Sequence, residues 1–446
     1  MNAHPELDAL HASHLATVSE RTEKALSASG FDALLVHSGI EHLAFLDDQT
    51  FPYRPNPHFT WWVPRTDAPH SLLHIEPGRK PLLLFHAPQD YWHKPPSLPE
   101  GAWTTHFELI PVRDWKEMVA ALPAPAGRTA FIGEATPETA ALGGIETNPE
   151  TLLRWLHEQR VRKTSYEIAC QREASRKAAA GHVAARAAHK AGESELGIHQ
   201  AFLAACGQRE SDLPYRPIIA RGANGATLHY QSLDAARPGR PTSLLIDAGA
   251  SYRGYGSDIT RSWAANPGDE FDALVQGMEE LQQSLCGTVR EGTHWPDLHL
   301  LAHHKVAGLL QDAGVLRIAA EDAVESGLSG TFLPHGLGHL LGLQVHDVGG
   351  FHPAPDAPPL PPPAGHPALR LTRRLEQGMV VTMEPGIYFI DMLLDAARRG
   401  PLAPHVDWDV VDRLKQHGGI RIEDNLVVGR TGCENLTRDA FLAAGS

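Results

Sequence analysis

Asp247 closes the apolar run Leu244-Leu245-Ile246, and eleven positions later Asp258 stands near the start of the strand-like Ser257–Trp263. Folded as a hairpin, the two runs bring these carboxylates side by side. Adjacent like charges destabilise a fold unless a cation lies between them. One aspartate at a strand end is ordinarily a turn residue, so the pair leaves a turn role and a metal role both open. Further on, His335, His339 and His346 fall within twelve positions, among glycines that let backbone or ligand approach closely. Each alone reads as a satisfied structural histidine; the group with its glycines points to function. Glu384 ends the β-type run Val380–Met383 and is followed at once by Pro385-Gly386. In Gly419–Leu426, alternation puts Arg421 and Glu423 on one face, with Ile420 and Ile422 on the other. That face is either a surface ion pair or a buried carboxylate in need of a partner or a metal.

Asp247, Asp258, His339, Glu384 and Glu423 together supply four carboxylates and one imidazole. An oxygen-rich donor set favours hard ions, so Mn²⁺ (or Mg²⁺) is expected before a thiolate-loving metal, with Co²⁺ and Zn²⁺ as substitutes. Four negative charges balance two divalent cations. The arithmetic suggests a dinuclear site with a bridging hydroxide as nucleophile.

These five residues, in this order and context, resemble the ligands of the pita-bread metallopeptidases: methionine aminopeptidase, aminopeptidase P and prolidase. The segments HSG (His37–Gly39), FLDD (Phe45–Asp48), LIDAGA (Leu245–Ala250), PHGLGH (Pro334–His339), LQVHDVGGF (Leu343–Phe351), EPGIYFID (Glu384–Asp391) and GGIRIEDN (Gly418–Asn425) are similar to those of the bacterial Xaa-Pro dipeptidases, which include organophosphorus acid anhydrolases. The similarity runs from about residue 15 to residue 440. The resemblance implies that Asp247 binds one metal, His339 with Glu384 the other, and that Asp258 and Glu423 bridge both. It implies that His335 and His346 hold the substrate and stabilise the tetrahedral intermediate, that Glu384 shuttles the proton, and that Arg421 orients the C-terminal side of the substrate or the charges behind the ligands. Tyr215 and His229 match pocket-lining positions, and Leu228, Leu369 and Trp295 complete the expected pocket, Trp295 standing where a tyrosine is aligned. Asp48 matches a residue that reaches the neighbouring subunit's active site. The implied protein is a homodimeric dimanganese enzyme cleaving Xaa-Pro dipeptides with C-terminal proline. A side activity on organophosphorus triesters follows, because a tetrahedral phosphorus centre resembles the intermediate of peptide hydrolysis. Aminopeptidase P shares the constellation and accepts longer peptides, and a non-enzymatic binding module on the same fold is the other alternative.

The elements that must position these residues divide the 446-residue chain near residue 162. Residues 1–162 are expected to form an N-terminal α/β domain for dimerisation and substrate-size restriction. Its helix carries Leu15, Val18, Thr22, Ala25 and Leu26 and ends at Gly30, and its strands are Ala33–Val36, Trp61–Val63, Ser71–Ile75, Pro81–Phe85 and Thr129–Gly133. A helix over Thr151–Arg160 closes it. Residues 163–446 open with helical runs at Tyr166–Lys190 and Glu195–Gly207, carry two more helices near Glu270–Thr288 and Pro296–Ala313, and end strand-rich. The pita-bread resemblance makes this half a catalytic domain with a curved antiparallel sheet, α/β (α+β) in class. The run Pro353–Pro367, with eight prolines in fifteen positions, reads as a loop.

Composition sets outer bounds. Lys plus Arg is 39 against 53 for Asp plus Glu, a net charge of −14 without a long basic block, which argues against nucleic-acid or anionic-membrane partners. Four dispersed cysteines without a CxxC pair fit reduced thiols in the cytoplasm. The best apolar stretch, Met379–Leu394, is broken by Glu384, Pro385, Gly386 and Asp391, and the N-terminus has no signal-peptide pattern, so a soluble protein is expected. The 27 histidines are an unusual number, which compositional drift accounts for in the main.

Overall fold

A computed structural model describes residues 5–445 except Pro95 and Ala126. The chain separates into a unit of Met1–Cys170 with Ala354–Asp356, and a unit of Gln171–Pro353 with Ala357–Ser446. No helix of the described residues is long and apolar enough to cross a membrane.

The first unit is built on a six-stranded mixed sheet. Its spatial order is Glu108–Val112, Leu82–His86, Leu72–Ile75, Ala33–His37, Thr129–Ile132 and Ile145–Thr147. Ala33–His37 runs antiparallel to Leu72–Ile75 and parallel to Thr129–Ile132. Leu35, Leu72, Leu82, Leu84, Val112, Met118 and Phe131 form one of its core clusters. The helix Pro5–Ser29 carries the expected apolar stripe, ends before Gly30 at φ +74°, and packs against the helix Glu150–Val161. The expected strand at Trp61–Val63 is absent. Asn56 caps a short helix, Pro57–Thr60, its side chain accepting from the His58 N–H, and the apolar triplet follows that helix as a buried turn. Burial alone produced the strand-like composition there, because two tryptophans and a valine fill the core equally well from a turn.

The second unit assembles antiparallel strands inside a shell of helices. Leu244–Asp247 is the central strand of three, flanked by Ile218–Arg221 and Thr260–Trp263. Alternation sorts its residues. Leu244 and Ile246 join Ile198, Phe202 and Ile259 on the helix side, whereas Leu245 packs with Ile218, Ala220 and Tyr388 on the other. Asp247, two positions from Leu245, therefore points with Leu245 to the face that Tyr388 occupies. Val380–Met383, Asp424–Val428 and Cys433–Asn435 form a second antiparallel sheet, and Gly386–Tyr388 pairs with Gly419–Arg421. Single bridges at Thr260–Glu423 and Leu340–Val381 stitch these pieces together. From Phe332 to Met379, which includes the proline-rich run, the chain forms no helix or strand.

Two glycines permit the close approaches on which the site depends. A Cβ at Gly249 would stand 1.9 Å from the Ser257 carbonyl oxygen, and one at Gly338 would stand 2.2 Å from the Thr382 carbonyl oxygen. The first lets the chain turn back from Asp247 toward Asp258. The second lets the His335–His339 segment lie against the strand that ends at Glu384.

Candidate metal centre

Asp247 and Asp258 meet, though not as a direct cross-strand pair. The residue opposite Asp247 is Thr260, and Asp258 lies two positions before it, its N–H donating to Asn425 Oδ1 at 3.0 Å. His339 faces the carboxylates through Nε2, 3.5 Å from Asp258 Oδ2 and 3.6 Å from Glu384 Oε1. Its Nδ1 lies 3.0 Å from the Leu340 carbonyl, which only accepts, so Nδ1 carries the proton and Nε2 is free as a ligand atom. One donor atom from each of Asp258, His339 and Glu423 falls within 4.8 Å of the other two. Tyr215 donates to Asp247 Oδ1 at 2.7 Å. Arg421 donates to Asp247 Oδ2 at 2.6 Å, to Thr260 Oγ1 at 3.1 Å and to the Tyr388 hydroxyl at 2.7 Å.

Arg421 and Glu423 are therefore not a surface pair: they are 5% and 2% exposed, and Arg421 is matched to Asp247. Glu423 instead accepts from Thr260 Oγ1 at 2.7 Å. Four carboxylates share this buried pocket with one guanidinium and one imidazole. Burial and the crowding of Asp258, Glu384 and Asp247 drive the Glu423 carboxyl well above its ordinary range. Burial likewise raises Asp247 against the pull of Arg421, and lifts Glu384 to about 7. At Asp258 burial pushes upward too, but the hydrogen bond and charge of His339 outweigh it and leave the group lowered. The same carboxylates raise His339 against the effect of burial, and a pocket that crowds its carboxylates in this way, with an imidazole nitrogen turned into it, has the donor chemistry of a divalent-cation site.

His335 lies beside these groups. Its Nδ1 is 2.8 Å from the Gly336 carbonyl and 3.7 Å from Glu384 Oε2, and its Nε2 is 2.9 Å from the Tyr388 hydroxyl. The His346 ring sits edge-on to His339, with centroids 4.4 Å apart. Burial lowers both His335 and His346 to about 4, so both are neutral. His229 is exposed. Leu228 packs on the cluster that holds Tyr388. Leu369 is buried, and its Cα would lie 3.0 Å from a Cβ at Gly336. Trp295 is wholly buried in the first turn of the helix Trp295–Asp312, its backbone N–H donating to the Arg373 carbonyl at 3.3 Å. Asp48 belongs to the first unit, where it is exposed and accepts from Gln49 Nε2 at 3.4 Å.

Three residues at the site escaped the reading of the sequence. Thr260 binds both Arg421 and Glu423, Tyr388 joins Arg421 to His335, and Asn425 accepts from the Asp258 N–H and donates to its carbonyl. For Thr260 a signal was present, since it follows Asp258 by two positions and so shares its face along an extended chain.

The first part of the chain, residues 9–157, matches the model of the Xaa-Pro dipeptidase N-terminal domain, and residues 169–430 match metallopeptidase family M24. The chain belongs to family M24, whose members are metal-dependent hydrolases, and a divalent metal cofactor is consistent with its donor cluster. It is 47% identical over 440 residues to a Xaa-Pro dipeptidase of Xanthomonas oryzae pv. oryzae, covering 99% of both chains. It is 45% identical over 436 residues to that of Stenotrophomonas maltophilia, covering 98% of both. Among solved structures, aminopeptidase PepP of Pseudomonas aeruginosa superposes with a TM-score of 0.72 at 23% identity, over 97% of this chain and 98% of that one. Aminopeptidase P of E. coli, solved with the inhibitor Pro-Leu, gives 0.71 at 21% identity, over 97% and 99%. The fold is thus the pita-bread architecture with an N-terminal α/β domain.

Proposed function

We propose that this protein is a homodimeric, dimanganese dipeptidase that hydrolyses Xaa-Pro dipeptides with proline at the C-terminus. The observation that carries the reading is the convergence of Asp247, Asp258, His339, Glu384 and Glu423 in one buried, net-negative pocket. The identity to proteins named Xaa-Pro dipeptidase supports the substrate class. Asp247 would hold one ion, His339 with Glu384 the other, and Asp258 and Glu423 would serve both. Divalent ions bound there supply Lewis acidity at the scissile carbonyl and lower the pKa of the attacking water. The oxygen-rich donors favour Mn²⁺, with Co²⁺ or Zn²⁺ as substitutes.

The chain's own groups do the rest. Glu384 takes a proton from the attacking water and delivers it to the proline nitrogen. That proton matters because the bond cleaved is a tertiary amide and the leaving group a secondary amine. His346, kept neutral by burial, donates to the developing oxyanion, and His335, its one N–H taken by the Gly336 carbonyl, packs its ring against the substrate and holds it. Arg421 fixes Asp247 by its 2.6 Å contact and orients the substrate's C-terminal side. Tyr215, Leu228, His229, Trp295 and Leu369 line the pocket. Residues 1–162 form the domain for dimerisation and size restriction, and Asp48 enters the neighbouring subunit's site to hold the substrate's free α-amino group. The four dispersed cysteines, without a CxxC pair, support a cytoplasmic location.

A panel of dipeptides, with an Xaa-Pro-Xaa tripeptide beside it, tests the reading after reconstitution with Mn²⁺, Co²⁺ or Zn²⁺. Cleavage of Xaa-Pro, fastest with Mn²⁺ and absent on the tripeptide, is expected. Equal cleavage of the tripeptide would make the protein an aminopeptidase P. No hydrolysis at full metal occupancy would make it a binding module.

A further inference from the structure

The proposed chemistry employs few of the 27 histidines, and three of the remainder meet in one place. His299 and His303 lie four residues apart on the helix Trp295–Asp312 and so share a face. His366 arrives from the proline-rich loop, in a turn where its N–H donates to the Pro363 carbonyl at 3.0 Å. Each ring offers a nitrogen within 4.8 Å of nitrogens from the other two. The ring centroids are 4.7, 4.6 and 4.5 Å apart around the triangle. His299 Nε2 and His366 Nδ1 face each other at 3.0 Å. Two imidazoles on one tetrahedral ion, with Zn–N of about 2.0–2.1 Å, would stand about 3.3 Å apart.

The second feature is unmet polarity. His303 Nδ1 lies 2.9 Å from Ser329 Oγ, which fixes the ring and leaves Nε2 for another partner. That Nε2 is buried with no hydrogen-bond partner among the described residues, on a side chain only 1% exposed. A buried nitrogen without a partner forfeits its hydration for nothing in return. Burial and the mutual proximity of the rings hold His299 near 2 and His303 near 3, so both imidazoles are neutral, as ligation requires.

We propose that His299, His303 and His366 form a second metal site, with a donor set distinct from the carboxylate centre, which takes a zinc-class divalent ion and clamps the proline-rich loop to the helix. Three imidazoles suit Zn²⁺, Co²⁺, Ni²⁺ or Cu²⁺, whereas Mn²⁺ prefers the oxygen donors of the other centre. Ser329 is the partner that orients one ligand. The clamp acts close to the substrate side, because the Leu369 N–H donates to the His366 carbonyl at 3.2 Å and Leu369 lies against Gly336, next to His335.

The full-length protein, loaded with Mn²⁺ and dialysed, is titrated with Zn²⁺ while both metals are counted by mass spectrometry. Wild type should bind one zinc more per chain than His366→Ala, a substitution at a half-buried loop position. Ser329→Ala should weaken that extra zinc about 10-fold. A zinc-soaked wild-type crystal, which needs no variant, should show an anomalous peak among the three rings. Equal zinc counts in wild type and His366→Ala, or no peak there, would overturn the site. Manganese filling it as readily as zinc would overturn the ion class.

Discussion

Tyr388→Phe removes a single oxygen from the centre of the site and separates two ways in which that site could work. The Tyr388 side chain is wholly buried, and its hydroxyl stands between Arg421 at 2.7 Å and His335 Nε2 at 2.9 Å. Because the Gly336 carbonyl takes the Nδ1 proton of His335, Nε2 is the acceptor and Tyr388 the donor. The hydroxyl thus accepts from the guanidinium and passes its own proton to the imidazole. Its loss leaves one charged donor and one neutral acceptor unmet, about 1.5–3 and about 0.5–1.5 kcal/mol respectively. Arg421 retains Asp247 and Thr260, so the metal ligands should stay in place. His335 loses its orientation, and we expect kcat/KM on an Xaa-Pro dipeptide to fall about 10- to 100-fold, or roughly 1.4–2.7 kcal/mol. Metal content, measured on the same preparation, should equal that of wild type. Activity within twofold of wild type would refute the argument. Metal loss in proportion to lost activity would show that the hydroxyl acts through Arg421 on Asp247 instead.

Glu384→Gln should abolish turnover, whereas His335→Ala should keep its metal and lose about 10²-fold in rate; substantial turnover by a metal-replete Glu384→Gln variant would remove the proton-shuttle assignment. Asp48→Ala should weaken dipeptide binding and admit some tripeptide, and a strictly monomeric enzyme with unchanged specificity would sink that proposal. A nitrophenyl dialkyl phosphate should be hydrolysed slowly by the Mn²⁺ enzyme, since a good leaving group needs no proton; a rate no higher than that of Glu384→Gln would count against it. Acid should destabilise both units. Burial lowers His37 to about 4 and His182 to about 3 and holds His58 far below 6.5, so between those values and 6.5 only the unfolded chain takes up protons. Stability is then complete above 6.5 and falls as pH drops, by about 1.4 kcal/mol per unit for each such histidine; identical melting temperatures at pH 7.5 and 5.5 would contradict this.

The strongly local features were legible in the sequence. Asp247 ends an uninterrupted apolar strand, Glu384 precedes a Pro-Gly turn, and His335 to His339 carries its glycines with it, so type, spacing and backbone chemistry agree. The helix Pro5–Ser29 was legible from its apolar stripe, and the helix expected over Thr151–Arg160 closes the unit as Glu150–Val161. What stayed hidden depends on partners far away in the chain. Thr260 acquires its role from Arg421 and Glu423, more than 160 positions later, and Tyr388 acquires its own from a strand pairing that joins Gly386–Tyr388 to Gly419–Arg421. Alternation along Gly419–Leu426 gave the shared face of Arg421 and Glu423 but not its burial, which is set by the strands packed over it. Trp61–Val63 failed for the complementary reason: three buried apolar residues specify an interior, and the Asn56-Pro57 start signal beside them specified the helix that leads in.

The bridge between Thr260 and Glu423 has a consequence for how the protein responds to its metal. Asp247 ends the strand Leu244–Asp247 and Asp258 leads into Thr260–Trp263, while Glu384 and Glu423 adjoin strands more than 120 positions later, and the donors face one another across that line. Without a cation the crowding of these carboxylates works against the Thr260–Glu423 bridge and the Arg421–Asp247 and Asp258–Asn425 hydrogen bonds that join the sheets there. With one, the same charges draw the sheets together, and the free energy of ion binding becomes cohesion of the fold. The ion is then expected to stiffen the fold along that line as well as to supply chemistry, so metal-free protein should be cut there by proteases faster than metal-replete protein.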